Sequence, residues 1–492
     1  MIYLLMLFPL AMAAIAYAVP SNGWRPWLLP VGGAGHLALV VVMLSPPILP
    51  FSPTPFLLFS SSSSELDGWL ALGPLGKLFL GYLSVLFFLC TLYAPGYLRL
   101  RSDRDNRLLC AILFASLSTM TLVTMAHHLG LMWVALEMTT LVSAPALYFN
   151  RNARSLEATW KYLLIGSVGI ALALLGSFFL AYSSLPLHLK SPLLFDQLIA
   201  NAHLLEPRWL HAAFVLLFIG YGTKMGLAPM HTWKPDAYGE APGIVGTLLA
   251  GGITSGAFLA ILRVYQICQA GPDPSFAREV MIFMGLLSMA VAAVFLVRQR
   301  NFKRMLAYSS VEHMGILVLG IGIGGAAIYG ALLHMINNGL TKGVLFLSAG
   351  NIHRAYGSAA TADVRGAIAR VPYSGALFLA GFFAITGSPP FGPFVSEFTI
   401  VKAAVGSEQY VTAGLFLFFL AIVFIGMGST VLLMVLGKPT EATKPTTYRD
   451  TFATVAPILL FMALVLLLGL YIPSPVETLL TDAAKYLEGK TP

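Results

Sequence analysis

Lys224 ends an apolar run, Ala212 to Gly222, and is followed at once by Met225-Gly226-Leu227-Ala228-Pro229-Met230-His231-Thr232-Trp233-Lys234-Pro235-Asp236. Pro229 and Pro235 lack amide protons and clash with the preceding turn, so they break a helix here and free some of its carbonyls. Inside a bilayer such a break survives only where protein or a wet cavity serves the freed groups. A lysine beside it costs about 2.5 to 3.5 kcal/mol on insertion scales, which points to a paired and functional side chain. The blander alternative is a lysine snorkelling to the surface from a helix end. The chemistry on offer is transfer of an ion or a proton, with His231 and Asp236 as secondary candidates in the same break.

Glu137, in Trp133-Val134-Ala135-Leu136-Glu137-Met138, is the expected partner of Lys224. A carboxylate and an ammonium removed from water together keep one another ionised, whereas a lone glutamate would sit protonated against a neighbouring helix. A second break, Gly387-Ser388-Pro389-Pro390-Phe391-Gly392-Pro393, precedes Glu397. Between the breaks, His334, Asn338 and Thr341 recur at i, i+4 and i+7 on one helix face, with Lys342 adjoining. Such a stripe on an apolar membrane helix belongs in the protein interior. His334 suits proton exchange, or else packs as a hydrogen-bonded core histidine. His313 is a weaker candidate, expected near a helix end at the surface. In this scheme separation of Glu137 from Lys224 frees the lysine proton, His334 and Lys342 receive it, and Glu397 discharges it on one side.

The elements that must hold these groups follow from composition. The chain has 492 residues, of which 58% are hydrophobic and 10% charged, with a mean hydropathy of +0.81. This is the composition of an all-α polytopic membrane protein. At roughly 20 apolar residues per crossing, the sequence predicts about 14 transmembrane helices: 2–19, 27–45, 69–95, 108–126, 129–149, 158–183, 209–238, 242–265, 278–297, 305–323, 326–350, 372–402, 409–436 and 451–471. The seventh and twelfth are broken. They occupy corresponding places in spans four to eight and nine to thirteen, and an odd offset of five turns the second set upside down. Two inverted five-helix repeats with paired broken helices are a pointer to a transport path near the bilayer midplane. The predicted division is a three-helix peripheral segment at 1–100, half-channels at 101–265 and 266–437, and a C-terminal helix and tail at 438–492.

The net charge of +8 does not form a nucleic-acid patch, because the basic residues are spread through short loops, where they set topology. Eighteen of the 29 Lys and Arg residues follow odd-numbered spans and five lie near even-numbered loops. The odd loops are therefore expected in the cytoplasm and both termini outside. Pro46 to Asp67, with five consecutive serines and no basic residue, is expected as an external linker. Residues 2–19 have no basic start and are expected to remain as a first membrane helix. Cys90, Cys110 and Cys268 match no disulfide or metal spacing. His127 and His128 are adjacent and do not face one another across helices, which argues against haem.

The segments Lys224 to Ala237 and Lys303-Arg304-Met305-Leu306-Ala307-Tyr308-Ser309-Ser310, together with Glu137, resemble the antiporter-like subunits of respiratory complex I, membrane-bound hydrogenases and multisubunit cation/proton antiporters. The resemblance covers roughly residues 70 to 435. It implies fourteen core helices, inverted half-channels and proton movement coupled to electron transfer in partner subunits. Glu137, Lys224, His334, Lys342 and Glu397 take the positions of the family's path residues. The Gly387 to Glu397 segment and the chain length are most similar to the F component of hydrogenase-4-type, formate-hydrogenlyase-related complexes. There are departures. Ser255 stands where many relatives carry a lysine in span eight, and Asn338 replaces a second histidine in span eleven. About twenty residues follow span fourteen, so no long lateral helix is expected.

The resemblance implies no cofactor or metal in this chain, with iron–sulfur clusters, and in the hydrogenase type nickel–iron centres, in peripheral redox subunits. It also implies other membrane subunits as neighbours, in a prokaryotic cytoplasmic membrane. A subunit of a cation/proton antiporter, a subunit energising inorganic-carbon uptake, and a scaffold with a vestigial path are the alternatives.

Overall fold

The computed structural model describes residues 1–45, 68–187, 193–438 and 446–490. The Pro46 to Asp67 linker, Lys190 and Lys444 lie outside the described residues.

The described chain is helical, with only isolated bridges such as Leu70 to Ala126 outside the helices. Its principal helices are α1 (Ile2–Ala18), α2 (Arg25–Leu44), α3 (Pro74–Arg99), α4 (Arg107–Met125), α5 (Leu129–Leu147), α6 (Ala153–Ser184), α7a (Pro207–Met225) and α7b (Trp233–Glu240). There follow α8 (Gly243–Gln269), α9 (Pro274–Leu296), α10 (Phe302–Ile323), α11 (Ala326–Tyr356), α12a (Pro372–Ile385), α12b (Gly392–Gly406), α13 (Tyr410–Leu436), α14 (Phe452–Leu470) and α15 (Ser474–Leu487).

Each predicted span thus meets a helix, and the seventh and twelfth are each two helices with a break between. Ten of the described helices are long and apolar enough to cross a membrane unaided. At the other four predicted spans, α1 and α12a are shorter apolar helices, and α7a and α11 fall outside that set. Seven helices open on a proline in their first turn, where its missing amide leaves no bond unmade.

Burial grades from outside inward. Helices α6, α9, α13 and α14 keep much of their surface exposed, while α10 is wholly and α8 almost wholly enclosed. Helix α11, although it carries the polar stripe, is buried along nearly its whole length. It packs on α8, α10, α12b and α14, so the stripe lies at the centre of the molecule. The two predicted repeats seat their broken helices alike, α7a against α6 and α12b against α11. Amphipathic α15 folds back across α3 and α11.

Arg25, one of the basic residues that follow the first predicted span, is fully buried. Its guanidinium donates to Val19 O at 2.7 and 3.0 Å, to Asn106 Oδ1 at 2.5 Å and to Asp105 Oδ1 at 3.0 Å. These bonds tie the α1–α2 turn to the head of α4. The Arg107 amide, with the Arg25 guanidinium, holds the Asp105 carboxyl below its ordinary range. His127 and His128 are likewise structural. His127 Nε2 lies 2.8 Å from Asp196, and His128 stacks on Trp69 and accepts the Gly130 amide at the head of α5.

Candidate functional site: a buried line of ionisable groups

Helix α7a stops at Gly226, whose φ of +79° is a left-handed conformation open to glycine. Protein groups serve the backbone the break frees. The Gly226 and Leu227 amides donate to Gly222 O at 2.7 and 2.8 Å. The Trp233 indole donates to Thr223 O at 2.8 Å, and the Ala228 amide to Ser288 Oγ of α9 at 3.1 Å. Lys224 lies in the last turn, next to this break. Its Nζ donates to Glu137 Oε2 at 2.6 Å and to Thr140 Oγ1, while Ser167 donates to Glu137 Oε1 at 3.2 Å. Lys224 is 3% exposed and Glu137 17%. The predicted ion pair is present, and its carboxylate is the member nearer the outer face of α5 and α6.

The rest of the first break divides by depth. His231 is buried, with Nδ1 3.2 Å from Pro229 O and its ring beside Phe295 and Tyr308. Asp236 sits in a surface cavity of about 570 Å³. There it pairs with Lys161 of α6 at 2.8 Å and Arg304 of α10 at 3.0 Å, clasping the two predicted repeats at one face. Lys234 is wholly enclosed, and its Nζ has no hydrogen-bond partner.

The second break mirrors the first. Gly387, with φ +68°, closes the turn after α12a, and a Cβ there would come within 2.1 Å of Glu397 Oε2. The carboxylate of α12b therefore occupies the space that glycine leaves. Glu397 is almost completely buried, and its Oε1 is free of protein partners.

His334 is fully buried and joins two helices. Its Nδ1 lies 2.9 Å from Ser396 Oγ of α12b, and its Nε2 2.9 Å from His313 Nδ1 of α10. The Ser396 hydroxyl donates to Pro393 O at 2.9 Å. One hydroxyl proton cannot serve two bonds, so His334 Nδ1–H donates to Ser396 and His334 Nε2 accepts from His313 Nδ1–H. His313 Nε2 has no hydrogen bond of ordinary geometry, and the Ile385 backbone faces the ring. Ligand atoms of His313, His334 and Glu397 lie within 4.8 Å of one another. Three of the four ring nitrogens in this cluster are spent on the hydrogen-bonded chain. That leaves the set few free nitrogens to offer a metal ion.

His313 was expected near the surface, yet it is completely buried in mid-helix. The reason is that α10 is enclosed on all sides, a tertiary fact that its local sequence does not carry. Lys342 donates to Ser309 Oγ at 2.9 Å and Leu306 O at 3.1 Å, both on α10. Glu312, missed in the sequence, is buried and lies within electrostatic reach of Lys342 and Glu397. Asn338 is buried with a free Oδ1, but it is Asn337 whose amide, free at both ends, fills the space beside Gly392. Ser255 of α8 donates to Gly251 O at 2.6 Å. Glu312 and Lys234 could have been found in the sequence, since they adjoin His313 and Pro235, both already singled out.

Buried polar groups without protein partners persist in a membrane interior where water or a moving ion completes their bonding. Lys234 Nζ, Asn337 and Glu397 Oε1 are such groups, and they follow a course across the centre of the molecule.

Residues 126–422 match the family described as NADH:quinone oxidoreductase/Mrp antiporter, transmembrane. A hydrogenase-4 component F homolog of Methylacidiphilum infernorum is 36% identical over 365 residues, 73% of this chain and 75% of the relative. The fold is similar to a subunit chain of an archaeal membrane-bound sulfane sulfur reductase, with a TM-score of 0.83 at 20% identity over 99% of this chain and 97% of that one. A chain of the Mrp complex of Dietzia sp. superposes with a TM-score of 0.81, again at 20% identity and with the same shares covered.

Proposed function

Because the chain belongs to the NADH:quinone oxidoreductase/Mrp antiporter family of membrane subunits, we propose that it translocates protons in a redox-driven membrane complex of hydrogenase-4 type. The observation that carries this reading is the buried course of exchangeable groups from Glu137 and Lys224 to His334, Lys342 and Glu397. In the proposal, residues 101–265 and 266–437 form two inverted half-channels. Lys224 holds a proton while Glu137 faces it and yields it when the pair parts. His313 and His334 pass protons along their ring nitrogens, and Lys342 and Glu397 store and discharge them.

A proton, and not Na⁺, is the favoured cargo. A chain of ring nitrogens conducts protons by exchanging tautomers, while a metal cation asks for a ring of oxygens with enough field to replace its water. The chain itself holds no redox centre in this proposal. Peripheral subunits bearing iron–sulfur clusters and a nickel–iron site supply the driving reaction, in a prokaryotic cytoplasmic membrane with both termini outside. The 36% identity to a hydrogenase-4 component F homolog supports that choice of complex.

Purification of the chain from its native membrane in mild detergent, with mass spectrometry of the subunits that accompany it, tests the assignment. Nickel-site and iron–sulfur subunits are expected. Recovery of membrane subunits alone, with Na⁺-dependent exchange, would overturn the redox assignment in favour of an antiporter.

The site's packing makes a further prediction. Gly387→Ala places a methyl group on the Glu397 carboxylate in a backbone conformation that alanine disfavours by about 1 kcal/mol. Proton translocation is expected to fall roughly a hundredfold through the displaced carboxylate. Gly406→Ala, in open space at the end of α12b, serves as the control and should leave it unchanged in the same vesicle assay.

A further inference from the structure

We infer that Lys234 carries the proton across the centre of the protein, joining the Glu137–Lys224 pair to the His313–His334–Lys342 group. This inference rests on the proton-translocating reading above.

Lys234 is fully buried, and its Nζ has no protein hydrogen-bond partner. Its stem runs through the space left by the missing side chain of Gly226, where a Cβ would meet Lys234 Cε at 2.3 Å. Gly226 closes the helix that carries Lys224 in its last turn, so the amine lies against the same break. At the other end, Lys234 is within electrostatic reach of Lys342 and His313. The nearest aromatic face is that of Tyr238, 5.9 Å from Nζ to the ring centroid, and the Tyr238 hydroxyl is also without a partner. A ring face stabilises an ammonium without taking its protons, leaving all three N–H bonds free to point along the path.

The neighbouring α8 offers no competitor. Its hydroxyl groups at Thr247, Thr254 and Ser255 all donate to carbonyls of their own helix, at 3.0, 2.7 and 2.6 Å. A lysine that served only to fill this space would leave a buried amine unbonded for no gain, because leucine or methionine fills it at no desolvation cost. A lysine that alternates between ammonium and amine has a use for that lack of fixed partners. In the amine form it takes the proton that Lys224 releases, and in the ammonium form it passes that proton toward His313 and Lys342. Each transfer moves one proton and leaves no net change in the side chain after the cycle.

The test uses the intact complex in sealed vesicles, with proton uptake and electron transfer measured together. Lys234→Leu is expected to lower proton uptake per electron about a hundredfold, the scale of a lost acid–base group, with the same subunits recovered. Lys234→Arg keeps the charge but cannot give up its proton, and should be blocked as well. Lys234→His can exchange a proton and should recover part of the uptake, with a pH optimum moved toward the histidine range. Normal uptake in the leucine variant, or rescue by arginine and not by histidine, would overturn the inference. Glu137→Gln in the same preparation separates the two levels. If it too pumps normally, the underlying reading fails; if it is blocked while Lys234→Leu pumps, only the central role of Lys234 fails.

Discussion

Glu137→Gln abolishes proton translocation while subunit assembly and the chain's helical fold remain. Glutamine has nearly the same shape, and its amide oxygen can still accept from Ser167, which now donates to Glu137 at 3.2 Å. What is lost is the charge that faces Lys224 Nζ at 2.6 Å. An ammonium left unpaired at this depth costs about 2.5 to 3.5 kcal/mol. At 1.36 kcal/mol per decade that is roughly two decades in the population of the charged form. Lys224→Met removes the other member, the side chain that holds the proton in this reading. Both variants interrupt the cycle at the same pair, so their effects should not add. The measurement is proton uptake in inverted vesicles, expressed per electron transferred. Normal pumping by both variants would remove this pair from the path.

The second large effect is expected at His334, whose two ring nitrogens are both committed, one to His313 and one to Ser396. His334→Gln can keep two hydrogen bonds but cannot take a proton at one atom and release it from another. Uptake should drop about a hundredfold or more, as for a lost proton-transfer group, with assembly unchanged. Ser396→Ala gives the contrasting outcome. It deletes the acceptor that fixes the His334 tautomer, so the ring can turn or carry its proton on the wrong nitrogen. A loss of roughly tenfold with an altered pH profile is expected, because Ser396 positions the histidine and does not itself exchange the proton. Equal losses in the two variants would show that the relay depends on the serine hydroxyl and not on the ring.

Much of the buried site was legible in residue types and spacing. The Glu137–Lys224 pair, the two breaks and the stripe on α11 all follow from one rule, that polar groups in a bilayer need partners. That rule also has limits. It located Asp236 in the first break but could not place it at the surface between Lys161 and Arg304, since depth along a broken segment depends on how its second half is tilted. It made His313 a surface residue because the sequence of α10 reads as a helix beginning among basic residues. It passed over Lys234, which looks like one more loop lysine beside Pro235 until α7b is folded inward over Gly226.

By itself the sequence determined the class of the protein, its helical elements, the positions of the two breaks and the ionisable types at them. Those features are local, written in apolar length, proline placement and the cost of charge in hydrocarbon. Only the tertiary structure decided which of those groups meet. The His313–His334–Ser396 chain depends on three helices coming within hydrogen-bond range, and the seats of Glu397 over Gly387 and of Lys234 over Gly226 depend on how the second half of each broken helix folds back on the first. No periodicity along one helix specifies which face of another it will meet, because that choice is made by packing of the whole bundle.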